Sequence, residues 1–217
     1  MNGFNLLIFD CDGVLVDSEV LSCQCLIEVL ARHGVSVDLD EAFDRFLGRS
    51  SLAVEEYYLT TTGAPLPRQF GSELRTHLAS SFRRSLQLIP HVRLVLDSID
   101  RPYCLASSSD ADRLRMTLSV AGLERYFGDR VYTSAMVAHG KPAPDLFLFA
   151  AAKMSASAAE TLVIEDSING VLAGKAAGMT VWGFIGGSHY SGRDGGRLLS
   201  DAGADRVFGS MADLMPS

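Results

Sequence analysis

Two aspartates, Asp10 and Asp12, directly follow the apolar run Leu6–Phe9. In an extended chain, residues two apart project to the same side, so the spacing predicts that both carboxylates face one site. Two like charges this close are unfavourable unless a cation or a proton shares the site, which indicates a bound metal or a carboxyl held protonated. A polar turn with Asp10 as a helix cap would account for either acid alone, but it explains the pair poorly.

A serine triplet at residues 107–109 follows a second apolar run, Cys104–Ala106. Its hydroxyl groups and backbone amides could hold phosphate oxygens, with Ser107 and Ser108 as the candidate ligands. Serines at such positions also commonly cap the following helix, and both interpretations stay open at this point.

Lys141 is one of only three lysines in the chain, and two prolines, Pro142 and Pro144, fix the backbone beside it. A solvated lysine is the ordinary alternative. Because arginine supplies most of the basic charge in this chain, a lysine beside a backbone that prolines make rigid indicates a side chain held in position for a function.

A second acidic pair, Glu165 and Asp166, follows the apolar run Leu162–Ile164. One acidic pair after a strand is easily chance. Two such pairs indicate a divalent cation with oxygen ligands.

Short apolar runs alternate with longer amphipathic segments, a pattern typical of an α/β fold with a doubly wound parallel sheet. Strands are predicted at 5–9, 103–106, 130–133, 161–164, 180–184 and 205–208, and crossover helices at 110–121, 144–154, 167–177 and 193–202. The carboxyl ends of such strands form the ligand crevice, which is where all four motifs fall. The glycine-rich stretch from Gly186 to Gly196 lacks the ending of a P-loop and is interpreted as a plain loop.

The alternation of strands and helices is absent from residues 18–85, where the sequence has helical periodicity alone. Helices are predicted there at 18–33, 40–47, 51–61 and 67–86. We therefore expect an inserted all-α domain at 18–85, and a core built from 1–17 and 86–217.

Composition narrows the function classes. Nineteen basic against 26 acidic residues give a net charge of −7, which excludes nucleic acid or an anionic membrane as the main partner. No early apolar stretch is long enough for a membrane span or a signal peptide, so we expect a cytoplasmic protein, and we further expect a monomer. The histidines show no metal-ligand spacing and are interpreted as structural or surface residues.

The order Asp-x-Asp-Gly, Ser, Lys-Pro and Glu-Asp resembles the haloacid dehalogenase-like hydrolase superfamily, and the motifs span most of the chain. The resemblance implies a Rossmann-like core with an α-helical cap inserted after the first strand, as in phosphoglycolate phosphatase and β-phosphoglucomutase. The opening segment from Phe9 to Glu19 is also similar to phosphatases of phosphorylated sugar acids, 6-phosphogluconate included.

The resemblance also implies a role for each matching residue. Asp10 would be the nucleophile that becomes an aspartyl phosphate, and Asp12 the general acid and base. Lys141 and Ser107 would hold the transferring oxygens, and Gly13 would let the backbone bend close to the phosphate. Mg²⁺ would bind the Asp10 carboxylate, the Asp12 main-chain carbonyl and Asp166, with Glu165 direct or through water; the residues implied as metal ligands are thus Asp10, Asp12, Glu165 and Asp166.

These features predict a Mg²⁺-dependent phosphatase of a small phosphorylated metabolite, a sugar or sugar-acid phosphate. A dehalogenase is set aside because a halide leaves without a proton donor such as Asp12. Phosphonate hydrolases of the superfamily use a cap lysine, and residues 18–85 contain none. A phosphomutase is the alternative within the fold, and a catalytically silent phosphate-binding regulatory protein is the alternative of another class.

Substrate choice is expected to lie in the cap. Gly48 and Arg49 occupy the place where relatives carry a cap loop over the active site, and Arg49 could pair with a distal carboxylate or hydroxyl of the substrate. A solvated arginine at a helix end is an equally good interpretation.

Overall fold

The computed structural model describes residues 3–49 and 51–215. Six parallel strands form one sheet in the order β3-β2-β1-β4-β5-β6. The strands are β1 (Leu6–Phe9), β2 (Tyr103–Ser107), β3 (Val131–Thr133), β4 (Thr161–Glu165), β5 (Thr180–Phe184) and β6 (Arg206–Phe208). The predicted α/β fold class, a Rossmann-like doubly wound sheet, is confirmed.

The central strands are covered on both faces, which is why they read as unbroken apolar runs. All four residues of β1 and all five of β4 are buried. The α-helices of this part of the chain are α5 (Val92–Ser98), α6 (Ala111–Ala121), α7 (Glu124–Phe127), α8 (Asp145–Lys153), α9 (Ile168–Ala176) and α10 (Gly195–Asp201). Each predicted strand and crossover helix overlaps an observed one, whereas α5 and α7 were not predicted.

The sheet reverses its winding direction beside β1. The chain runs from β1 outward through β2 and β3, and then returns to add β4 on the other side of β1. Phe9 is in register with Leu105 of β2 and with Ile164 of β4. The carboxyl ends of these three strands therefore meet at the topological switch point, where open α/β sheets bind their ligands.

The chain divides into two compact units: the residues up to Asp17 together with those from Gln87 onward, and Ser18–Leu86. The second unit contains α1 (Glu19–Arg32), α2 (Leu39–Phe46), α3 (Ser51–Thr62) and α4 (Phe70–Ser85). The α1 helix packs against both α2 and α4. Their apolar faces bury a core of their own that includes Val29, Leu30 and Phe70.

Side-chain caps fix several helix starts. The Asp110 carboxylate accepts bonds from the backbone N–H groups of Asp112 and Arg113 at the start of α6, and the Ser167 hydroxyl accepts one from Gly170 at the start of α9. Within the described ranges, none of the helices combines the length and apolarity that crossing a bilayer requires.

Candidate active site

The site lies at the carboxyl edge of β1, β2 and β4. Asp10 follows β1 and its backbone N–H donates to Ile164 O of β4 at 3.0 Å. Ser107 ends β2 and Glu165 ends β4. These positions are fixed by backbone pairing in the sheet, so residues more than 150 positions apart along the chain are held together rigidly.

Lys141 contacts residues at the ends of all three strands. Its Nζ donates to Asp10 Oδ1 at 2.7 Å, to Glu165 Oε1 at 2.5 Å and to Ala106 O at 3.0 Å. Its side chain is only 3% exposed. Burial disfavours the ammonium, but the attraction of Asp10 and Glu165 outweighs it and raises the pKa of Lys141. Lys141 is therefore a permanent positive charge in the site.

Asp10, Glu165 and Asp166 form a buried acidic cluster, in which one carboxylate oxygen of each residue lies within 4.8 Å of the others. Burial and the neighbouring carboxylates raise the pKa of Asp10 well above its ordinary value, although Lys141 opposes the shift. Burial, followed by repulsion from Glu165, likewise raises the pKa of Asp166. Lys141 supplies one positive charge against these three acids, and a set of hard oxygen donors with an excess of negative charge fits a divalent cation.

Both carboxylate oxygens of Glu165 accept hydrogen bonds. While Oε1 accepts from Lys141, Oε2 accepts from the backbone N–H of Ser167 at 2.9 Å and from its hydroxyl at 3.0 Å. Glu165 thus orients Lys141 whether or not it also binds a metal.

Asp12 has a different set of partners. The Ser109 hydroxyl donates to Asp12 Oδ2 at 2.7 Å, and Arg113 Nη2 donates to Asp12 Oδ1 at 3.2 Å. The expected extended backbone is absent here: the chain turns at Cys11, whose carbonyl accepts from Leu15 N at 2.9 Å. Because of this turn, the Asp12 carboxylate is held by α6 and the loop before it rather than within the acidic cluster.

The serines of the triplet have different surroundings. Ser107 is buried, and its Oγ accepts from the backbone N–H of Ser109 at 3.1 Å, which leaves the hydroxyl hydrogen to be donated elsewhere. Ser108 is exposed, and its carbonyl accepts from the Ser134 hydroxyl at 3.0 Å. The helix cap at the start of α6 is Asp110 rather than a serine.

Gly13 lies directly against Asp166. Its φ is +73°, and a Cβ there would come within 1.8 Å of Asp166 Oδ2. Any side chain at position 13 would displace this carboxylate, so glycine is required by both backbone conformation and space.

Gly48 and Arg49 belong to the Ser18–Leu86 unit, just after α2. Gly48 has a φ of +66°, and both residues are exposed. The Arg49 backbone N–H donates to Phe46 O at 3.0 Å. A role for these two residues in substrate binding stays a prediction.

Sequence reasoning missed Arg113 and Tyr190 beside the site. It named Ser109 only as part of the serine triplet, and it interpreted His189 as a structural or surface residue. His189 is 1% exposed, and its Nε2 lies 3.2 Å from Asp166 Oδ2. The available signal was position: Arg113 lies in the first turn of the helix after β2, and His189 lies in the loop after β5, both at the carboxyl edge of the sheet.

Comparison with known proteins gives one consistent result. A family model described as haloacid dehalogenase-like hydrolase matches residues 4–178. The chain is 27% identical to 6-phosphogluconate phosphatase of Escherichia coli (strain K12), over 87% of this chain and 86% of that protein. It is 31% identical to fructose-1-phosphate phosphatase YqaB of the same strain, over 80% of this chain and 92% of that protein.

A solved structure extends the comparison to three dimensions. It is that of a HAD family hydrolase from Deinococcus radiodurans R1 with bound phosphate and sodium. The two chains are 35% identical and align with a TM-score of 0.79, covering 99% of this chain and 94% of the other.

Proposed function

Because the chain belongs to the haloacid dehalogenase-like hydrolases and is a phosphatase, we propose that it hydrolyses small phosphate monoesters with Mg²⁺ through an aspartyl phosphate. The observation that carries the proposal is the buried contact of Lys141 with Asp10 and Glu165, beside a carboxylate cluster that can hold a cation. A nucleophilic carboxylate can approach a phosphate dianion only where positive charge offsets their repulsion.

Asp10, the Asp12 main-chain carbonyl and Asp166 are the proposed metal ligands. Glu165 would contribute through water, because both of its oxygens already accept hydrogen bonds from Lys141 and Ser167. When bound, Mg²⁺ supplies the charge that brings the Asp10 carboxylate and the phosphate together.

The reaction is a double displacement. An Asp10 carboxylate oxygen attacks phosphorus, the bond to the substrate oxygen breaks, and the Asp12 carboxyl gives its proton to the leaving alkoxide. Asp12 then takes a proton from water, whose oxygen attacks phosphorus and releases phosphate from Asp10. Lys141 and the Ser107 hydroxyl donate to the transferring oxygens in both steps.

The substrate class we propose is a sugar or sugar-acid phosphate. The support is that two relatives, each matched over most of its length, are named phosphatases of 6-phosphogluconate and fructose 1-phosphate. The Ser18–Leu86 unit is proposed as a cap that selects the substrate, with Gly48 and Arg49 contributing, because the proposed roles of the core residues involve only the phosphoryl group that all monoesters share.

The proposal is tested by phosphate release from a panel of sugar and sugar-acid phosphates, with Mg²⁺ and after EDTA treatment. We expect release that EDTA abolishes and Mg²⁺ restores. Activity that chelation leaves unchanged contradicts the metal role. Conversion of a hexose 1-phosphate to its isomer without free phosphate would indicate a phosphomutase instead, and no release from any monoester would indicate a silent phosphate-binding protein.

A further inference from the structure

The loop after β5 reaches the acidic cluster, although its sequence resembles an ordinary glycine-rich connection. Residues Ser188–Tyr190 form a single 3-10 turn. The His189 side chain within this turn is buried. A buried imidazole at the carboxyl edge of the sheet needs polar partners, and the carboxylate of Asp166 is one of them.

His189 holds one oxygen of that carboxylate. Its Nε2 lies 3.2 Å from Asp166 Oδ2, the same oxygen that packs against Gly13. Oδ2 of Asp166 thus lies between Gly13 and His189, which restrains the orientation of the carboxylate.

Tyr190 holds the backbone of the same residue. Its hydroxyl donates to the main-chain carbonyl of Asp166 in a short hydrogen bond. The rings of His189 and Tyr190 pack on one another with centroids 4.3 Å apart. Neighbouring side chains of one turn thus restrain Asp166 at its carboxylate and at its main chain.

Two further contacts hold this turn in place. The backbone N–H and the hydroxyl of Ser188 donate to Asp17 Oδ1 at 2.9 and 2.8 Å. A Cβ on Gly187 would come within 2.7 Å of the His189 ring and 3.1 Å of Gly13 O. A residue larger than glycine at 187 would therefore push the imidazole away from its position against Gly13.

From these contacts we propose that the segment Gly187–Tyr190 is a positioning element for the metal site, in which His189 and Tyr190 hold Asp166 in the orientation that binds the cation. The inference rests on the proposed function, since it takes Asp166 as a metal ligand. Groups that contact and orient a metal ligand typically change metal affinity by about 10- to 100-fold when removed.

The experiment measures binding of Mn²⁺ to the metal-free protein without substrate, with free Mn²⁺ read from its EPR signal. We expect His189→Leu to weaken Mn²⁺ binding by about tenfold or more, and His189→Gln, which keeps an N–H donor, to recover most of the loss. Tyr190→Phe should weaken binding less than His189→Leu. With Mg²⁺ in the phosphatase assay, the concentration required for half-activation should rise while kcat at saturating Mg²⁺ returns toward that of the native enzyme.

The matched control is His77→Leu, because His77 Nε2 contacts a carboxylate, Glu28 Oε2, at 2.6 Å within the Ser18–Leu86 unit. Its Mn²⁺ affinity should equal that of the native protein. A folded His189→Leu with native Mn²⁺ affinity overturns the inference. If the circular dichroism spectrum of His189→Leu shows that this variant does not fold, Tyr190→Phe is the deciding variant. Native Mn²⁺ affinity in Tyr190→Phe would then overturn the inference.

Asp166→Asn separates this inference from the function on which it rests. If Asp166→Asn leaves Mn²⁺ binding intact, the proposed metal site and the positioning element both fail. If Asp166→Asn weakens binding while the His189 and Tyr190 variants do not, the positioning element alone fails.

Discussion

Two lysine–aspartate pairs in the same unit show how strongly burial changes the chemistry of one contact. Lys141 Nζ lies 2.7 Å from Asp10 Oδ1, and Lys175 Nζ lies 2.7 Å from Asp205 Oδ1. The pKa of Asp10 is nevertheless raised, whereas that of Asp205 is lowered. The side chains of the first pair are 3% and 10% exposed, and those of the second are 36% and 40% exposed.

The physical reason is the balance between desolvation and attraction. At Asp205 burial is slight, so the hydrogen bonds from Lys175 and from the backbone N–H of Val181 outweigh it. At Asp10 burial dominates, and the nearby carboxylates of Glu165 and Asp166 add repulsion. The comparison shows that an ion pair alone does not set the direction in which the pKa of an aspartate shifts, because burial and neighbouring carboxylates can outweigh it.

Replacing each aspartate by asparagine tests the comparison most directly. We expect Asp10→Asn to lower kcat by at least about 10⁴-fold, because the amide cannot act as the nucleophile. Asp205→Asn should leave kcat unchanged. The measurement is phosphate release with the best substrate of the panel, and thermal melts show whether each variant folds. An active Asp10→Asn enzyme would remove Asp10 as the nucleophile.

Replacing each lysine by methionine gives the next largest contrast. Lys141→Met should lower kcat by about 10²- to 10³-fold, as when one donor to a transition-state oxygen is removed. Lys175→Met removes a partly exposed pair, so its unfolding free energy should change by no more than about 1 kcal/mol and kcat should stay constant. Equal losses of kcat in both variants would contradict the assignment of Lys141 to the site. Urea unfolding and steady-state kinetics provide the two measurements.

Metal affinity should depend on pH, because the pKa values of Asp10 and Asp166 are both raised. The pKa values of Asp10 and Asp166 are raised, so these carboxyls take up protons at a higher pH than ordinary aspartates, and a metal ion must displace those protons. Affinity for Mg²⁺ should therefore fall as pH falls, by up to about tenfold per pH unit for each proton displaced. Titration calorimetry across pH 8 to 5 measures this, with a pH-independent affinity as the contrary result.

In the metal-free protein, Asp10 and Asp205 should contribute to the free energy of unfolding with opposite pH dependence. A carboxyl with a raised folded-state pKa favours folding when protonated, so the contribution of Asp10 is lost as pH rises from its unfolded pKa of about 3.9. Asp205 has a lowered pKa, so its contribution is present above about pH 3.9 and is lost on acidification. Asp10→Asn should accordingly flatten the loss of stability at rising pH, and Asp205→Asn the loss at falling pH. Urea unfolding at pH 3.5, 5 and 7 measures both, and identical profiles would contradict the comparison.

The smallest effect is expected when one of the two described donors to Asp12 is removed. The Ser109 hydroxyl is a neutral donor, and the Arg113 guanidinium is a charged one. Ser109→Ala removes the neutral donor at 2.7 Å and leaves Arg113, so kcat should fall by about tenfold, equivalent to ~1.4 kcal/mol. Ser119→Ala is the matched control, because Ser119 is an exposed residue of α6 that has no proposed role in the site. An equal fall in both variants would show that the Ser109 hydroxyl does not position Asp12.

The elements and their order were largely predictable, because buried parallel strands are apolar along their whole length and the helices between them are amphipathic. The acidic cluster was predictable in the same way, since residues that follow parallel strands share one edge. The partners of Asp12 were not, because Arg113 is 101 positions away and nothing in the local pattern around either residue links them.

The sequence by itself determined which groups are available at the edge of the sheet: two acidic pairs and a serine triplet, each placed by the end of a strand, and a lysine followed by two prolines. Only the tertiary structure decided which of these groups contact one another. It directs Lys141 to Asp10 and Glu165, turns Asp12 toward Ser109 and Arg113, and brings His189 onto Asp166. The reason is that strand ends are set by short-range periodicity, whereas the direction and burial of each side chain depend on packing between segments far apart in the chain.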